Sequence, residues 1–183
     1  MRVFAALCLP ADIVAILREA AGELKRRYPR LNTVRAEGLH LTLVFFGELS
    51  ETRAGQIAAL MDRPELARPP IAACLGRIGQ FPPRGNPRVI FCALERGGDE
   101  VTEHYNRFCR LLRELDPVLL QEEKGFHPHI TLARNKTERV LQETLASLTV
   151  RPEGFLIDRF VLYQSILKPA GAEHKPLHTV MFR

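Results

Sequence analysis

The chain writes one four-residue phrase twice, as His40-Leu41-Thr42-Leu43 and as His129-Ile130-Thr131-Leu132. Histidine titrates closer to neutrality than any other side chain, and threonine adds a hydroxyl that can donate a hydrogen bond. On a strand, alternation sets His40 and Thr42 on one face and Leu41 and Leu43 on the other; the same parity groups His129 with Thr131. Each phrase is therefore an apolar anchor on one side and a polar pair on the other. Two such pairs around one phosphorus could carry an in-line displacement. One imidazole would act as general base to a water and the other as general acid to the departing oxygen. The hydroxyls would donate to the non-bridging oxygens, where negative charge accumulates. One ring must be neutral and the other protonated, which predicts a bell-shaped pH dependence. A single His-x-Thr carries little weight. Its recurrence with the same apolar flanks, 89 residues on (129 − 40 = 89), is what singles it out.

No local element spans that separation, so the elements of both halves must position the two phrases. Residues 2–9 read as a strand. Asp12 is placed to cap a helix with Ile13, Ile16, Leu17, Ala20 and Leu24 on its apolar face, ending at Tyr28-Pro29. A strand over 39–46, a helix over 51–61 and a strand over 71–81 complete the first half. The second half repeats the order: a strand over 88–95, a helix from Asp99 to Asp116-Pro117, the strand of the second phrase, a short helix over 137–148 and a long strand over 154–165. A tail strand follows near 177–182. Each half is thus β-α-β-α-β with the phrase on its middle strand. This predicts an α+β fold: one bilobal domain over 1–183, its halves interleaved or divided near 85/86. Related by a pseudo-two-fold axis, they would line a central cleft with mixed, mainly antiparallel sheets and keep the helices outside.

Other residues fall around the phrases by the same parity. Phe46 shares the His40 face (40, 42, 44, 46), where it could stack on a base or pack in the core. Arg134 could contact the substrate's phosphate or serve as a structural pair; strict alternation puts it on the face of Ile130 and Leu132, away from His129, unless the strand ends or bulges there. His127 lies on the rim behind Pro128, and Tyr163 and Ser165 of the last long strand are candidates for the cleft wall. His104 reads as a surface residue, and His174 and His178 sit in the tail without ligand-like spacing.

Composition sets the bounds. The 183 residues suffice for one good core. The net charge of +5 suits an anionic partner. Four cysteines without a C-x-x-C pair read as reduced thiols in a cytoplasmic protein. No segment approaches the roughly 20 apolar residues of a membrane span.

The stretches "HLTLVFFGE" and "HPHITLARN" resemble the paired signatures of the two-histidine phosphoesterases, in particular the bacterial and archaeal RNA 2′,3′-cyclic phosphodiesterases, historically called 2′-5′ RNA ligases. "RVFAALCLP" is similar to that family's first strand and "LYQSILKPAGAEHKPL" to its C-terminal stretch, so the likeness spans the chain. The resemblance implies hydrolysis of a 2′,3′-cyclic phosphate to a 2′-phosphomonoester without metal or cofactor. His40 would be the proton donor, His129 the acceptor, and Thr42 and Thr131 the phosphate ligands. Partners would be RNA ends, tRNA halves among them, or nucleotides, handled by a monomer. Two rivals stand beside this reading. A metal hydrolase using His40, His127 and His129 would need a carboxylate near the cluster, with Glu48 the sole candidate. A non-catalytic RNA-binding module would not need two titrating groups.

Overall fold

The computed structural model describes residues 1–120, 125–168 and 171–183. In chain order these form β1 (Arg2–Leu7), α1 (Ala11–Arg27), β2 (Asn32–Thr33), β3 (Leu41–Glu48), α2 (Glu51–Met61), β4 (Ile71–Phe81), β5 (Val89–Arg96), α3 (Gly98–Leu115), β6 (His129–Arg134), α4 (Gln142–Ser147), β7 (Gly154–Ile157), β8 (Arg159–Lys168) and β9 (Gly171–Met181). Local chemistry explains the starts and stops. Ser50 caps α2 by accepting from the Arg53 N–H. Gly97, at φ 87°, makes the tight turn into α3 that a side chain would resist. α1 begins one residue before Asp12, which instead sits in its first turn and accepts from Ile13 N–H.

The strands pair in the order β7-β4-β5-β6-β3-β1-β8-β9, with β2 on β6, and every pairing is antiparallel. The path narrows at its centre. β3 and β6 share one bridge, Leu41 with Ile130, so two antiparallel sheets, β7-β4-β5-β6 and β3-β1-β8-β9, meet along the two phrase-bearing strands. Chain halves and sheets do not coincide: β8 and β9 join β1 and β3, while β4 joins β5, β6 and β7. The long helices cross over as well. α1 packs beneath β6 and β2, whereas α3 sends Phe108 against Phe46 of β3 and Phe160 of β8.

The single strand expected over 154–165 is two strands in two sheets, with Asp158 between them. β7 alternates, burying Phe155 and Ile157, whereas β8 opens with three buried residues in succession, Phe160, Val161 and Leu162. The tail strand also begins earlier than expected, at Gly171, and hydrogen-bonds along β8.

The core is continuous. Leu41 and Ile130, the apolar sides of the two phrases, are both fully buried in it. His104 belongs to this core too. It is 1% exposed, between the edges of Phe160 and Phe182 with ring centroids 5.0 and 5.1 Å away, and not on the surface. It falls three residues after Val101 and four before Phe108, on the buried face of α3.

Candidate active site

Each phrase carries one extra residue, and it comes at the same place in both. On β1 and β3 the register runs Ala6–Thr42, Ala5–Val44, Phe4–Phe45, so Leu43 is a bulge. On β5 and β6 it runs Phe91–Thr131, Ile90–Ala133, Val89–Arg134, so Leu132 is the counterpart. A bulge adds one residue without a partner and reverses the parity beyond it. Leu43 and Val44 are both buried, as are Leu132 and Ala133. Beyond the bulge Phe45 and Arg134 return to the face of the histidines.

This resolves two assignments that strict alternation gets wrong. Phe46 does not face the cleft: it is buried, edge-on to Phe108 at 6.3 Å. Phe45 faces the cleft instead and is 41% exposed. Arg134 lines the cleft with His40, Thr42 and Thr131. β6 ends there because Asn135 turns the chain, donating to the Pro87 and Glu138 carbonyls and accepting from Glu138 N–H.

Counting one residue outward from the Leu41–Ile130 bridge sets His40 against Thr131 and Thr42 against His129. The four polar side chains then occupy one face of two adjacent strands. The two histidines stand on the diagonal, about 7–8 Å apart at the backbone. Imidazoles reaching toward each other from such positions can bracket one phosphoryl group.

Both rings are held by a carbonyl two residues upstream. His129 Nδ1 is 2.7 Å from the His127 carbonyl oxygen; because a carbonyl only accepts, Nδ1 carries the proton and Nε2 keeps the lone pair. A ring N–H of His40 donates to the Gly38 carbonyl. His40 also lies flat on Phe4, with centroids 4.9 Å apart, and His174 meets it edge-on at 5.2 Å. Tyr163 stacks on the Phe4 ring at 5.2 Å and bonds Cys8 Sγ through its hydroxyl, so it supports the His40 shelf from behind. Ser165 reaches the cleft wall itself.

Burial, His174 and the Arg134 cation together push His40 down to about 3, against the opposing Gly38 carbonyl. His129 is also held below its ordinary value, first by burial and then by Arg134 and His127, with the His127 carbonyl opposing. Without an anion in the cleft, both rings are therefore neutral at pH 7.

The surroundings of the two histidines differ. On the His40 side opens a groove of about 1130 Å³, whose wall includes Arg2, Phe4, Arg35, Phe45 and His174. His129 stands outside that lining, with Phe81 and Phe91 each 5.2 Å from its ring. Gly79 makes this aromatic wall fit: a Cβ there would lie 2.6 Å from the Phe91 ring. His127 is exposed at the rim. His174 was not legible as a site residue, because only the β8–β9 pairing, Ser165 with His174, brings the tail to the cleft. His178 stays outside, 2.9 Å from Asp62 Oδ1. Among the described residues no group of three or more His, Cys, Asp or Glu side chains is arranged to hold a metal ion, and no helix is long and apolar enough to cross a membrane.

The chain is similar to known proteins in sequence and in fold. A protein of Thermus thermophilus named RNA 2′,3′-cyclic phosphodiesterase is 36% identical, over 99% of this chain and 88% of its own length. The Escherichia coli protein of the same name is 29% identical over 96% and 93%. Among solved structures, TT0787 of Thermus thermophilus superposes with a TM-score of 0.85 at 31% identity, covering 100% of this chain and 98% of that one. E. coli LigT complexed with 3′-AMP reaches 0.76 at 25% identity, covering 99% and 97%. The family model described as the 2′-5′ RNA ligase superfamily matches residues 11–168, and the chain belongs to that superfamily.

Proposed function

We propose that the chain hydrolyses RNA 2′,3′-cyclic phosphate ends to 2′-phosphomonoesters by acid–base catalysis between two histidines. The observation that carries this reading is the placement of both His-x-Thr pairs on one face of β3 and β6, each imidazole braced by a local carbonyl. The names of the relatives point to the same substrate.

The asymmetry of the cleft supports the division of roles. In a 2′,3′-cyclic phosphate the leaving oxygen stays attached to the ribose, so the acid must stand where there is room for a nucleoside. The attacking water needs almost none. His40 borders the large groove, whereas His129 faces the Phe81–Phe91 wall. His129 Nε2 takes a proton as water forms its bond to phosphorus. The P–O3′ bond breaks, and an imidazolium at His40 returns a proton to O3′, leaving the 2′-phosphate. Thr42, Thr131 and Arg134 compensate the charge on the non-bridging oxygens. The scheme requires no metal or cofactor, and one chain supplies every group. With a ribose 5′-hydroxyl in place of water, the same steps would form a 2′-5′ linkage.

The test is product analysis on an oligonucleotide ending in a 2′,3′-cyclic phosphate, with excess chelator and without. A 2′-phosphate should form equally in both. His40→Ala and His129→Ala should each lower kcat by about 10²–10⁴-fold. A 3′-phosphate product would reverse the leaving group and refute the scheme. Loss of activity in chelator would restore the metal hydrolase, and equal turnover by wild type and both variants would leave a binding module.

A further inference from the structure

The groove beside His40 carries three polar side chains in one cross-strand row. Arg2 of β1 pairs with Ser165 of β8, and Ser165 pairs with His174 of β9. Residues opposite one another on neighbouring strands send their side chains to the same face, and all three line the groove. With strands about 4.8 Å apart, the row spans about 10 Å and has Ser165 at its centre. A small anion over Ser165 would meet a hydroxyl beneath it, a guanidinium on one side and an imidazole on the other.

The protein leaves these donors unused. Among the described residues Ser165 and His174 make no hydrogen bond and Arg2 makes no ion pair. Glu48, opposite Arg2 on β3, is taken by the N-terminal ammonium at 3.2 Å, and Glu173, next to His174, is taken by Lys168. Arg2 instead rests its guanidinium on the Phe45 ring, with Cζ 5.3 Å from the centroid. That contact steadies the cation without neutralising it. The groove wall as a whole sets five cationic side chains against the carboxylates of Glu37 and Glu173, a balance that favours an anion.

The place of the row indicates which anion. His174 meets His40 edge-on at 5.2 Å and lies beside Gly38, whose carbonyl holds the His40 ring. In the scheme above His40 delivers its proton to O3′. On a ribose, C3′ is bonded to C4′, which bears C5′ and the 5′-oxygen, whereas the base hangs from C1′ beyond C2′. The part of the substrate that extends past the acid is therefore the phosphate on the 5′ side of the terminal nucleotide.

We infer that Arg2, Ser165 and His174 form a second anion subsite, which takes that 5′-phosphate and makes the cleft prefer a strand end or a 5′-phosphorylated nucleotide to a lone nucleoside cyclic phosphate. The inference rests on the phosphodiesterase reading, with His40 as its acid, and adds a part of the substrate that lies outside the chemistry. The row touches no reacting atom, so its work is binding.

The experiment compares kcat/KM for 5′-phosphoadenosine 2′,3′-cyclic phosphate with that for adenosine 2′,3′-cyclic phosphate. The two share base, ribose and leaving group, so their ratio cancels any damage to the chemistry. Hydrogen bonds to a charged group should set that ratio at about 10 to 100 in wild type. His174→Phe keeps a ring edge against Phe4 and His40 and removes both nitrogens; Arg2→Met removes the charge and keeps an unbranched chain. Each should lower the ratio about 10-fold, and Ser165→Ala should lower it by a few-fold. A merely structural role for His174 would slow both substrates alike and leave the ratio where it was. A wild type that does not distinguish the two substrates overturns the inference, as does a ratio that persists in His174→Phe or in Arg2→Met. If wild type turns over neither substrate, the phosphodiesterase reading fails separately. The subsite is then read by calorimetry, as the affinity difference between adenosine 2′,5′-bisphosphate and adenosine 2′-phosphate. Loss of that difference in His174→Phe and Arg2→Met supports the subsite, and its persistence overturns it.

Discussion

Anion binding at the cleft should draw a proton from solvent onto His40. In the empty cleft, burial, His174 and Arg134 hold this imidazole at about 3, four units below pH 7 (7 − 3 = 4). Four units correspond to about 5.4 kcal/mol of discrimination against the charged ring. A unit charge about 4 Å away at an effective dielectric near 20 returns about 4 kcal/mol. One negative charge, that of a cyclic phosphodiester, thus lifts His40 to about 6, and a dianion lifts it past 7. The same anion pairs with Arg134 and removes part of the repulsion. The free site therefore keeps its acid discharged, and the substrate's own charge arms it in about a tenth of the occupied sites at pH 7.

Sulfate isolates the effect, because its charge does not change near neutrality. Titrations at pH 7 in two buffers of different ionisation enthalpy should give an uptake of about one proton per sulfate bound, and His40→Gln should reduce it toward zero. Sulfate binding to wild type with no net uptake would refute the reasoning. So would an undiminished uptake in His40→Gln, which would move the proton to His129 or His174.

Other consequences follow from the same geometry. His129 must be neutral to act as a base, and its proton affinity is lowered; the acidic limb of the kcat/KM profile should therefore fall below pH 6.5, and a limb above 7 would contradict the assignment. His104 is buried with no hydrogen-bond partner on Nε2 among the described residues and is pushed down to about 3. The unfolded chain thus binds one more proton than the folded one between that value and 6.5. The stability His104 contributes is present above pH 6.5 and falls on acidification by about 1.4 kcal/mol per pH unit, so urea unfolding of His104→Leu should depend less steeply on pH over that window. Gly79→Ala would put a Cβ 2.6 Å from the Phe91 ring. It should cost about 1–3 kcal/mol of stability and lower kcat more than it raises KM, since Phe91 borders the base and not the groove. Arg134→Met should weaken phosphate binding and move the acidic limb of the profile upward, because the cation that opposes protonation of His129 is gone.

The chain's own text determines a good deal. Apolar periodicity marks the β-α-β-α-β order of each half, because burial repeats every two residues on a strand and every 3.6 on a helix. The two phrases show which four side chains can do acid–base work, because proton affinity and hydroxyl chemistry belong to the residue type. Alternation also separates the His-Thr face from the apolar face, as far as the strand remains regular. It fails at Leu43 and Leu132, where a bulge reverses parity and exchanges Phe46 for Phe45 and brings Arg134 back to the cleft. A bulge is a property of the pairing between two strands and leaves no mark on either one alone. It fails again at Asp158, where the chain leaves one sheet for the other. Three features belong wholly to the tertiary structure: the single bridge that sets the phrases side by side, the fold-back of β9 that carries His174 to His40, and the groove that opens beside one histidine and not the other. Each depends on contacts between residues far apart in the chain, whereas periodicity reports only a residue's relation to its near neighbours.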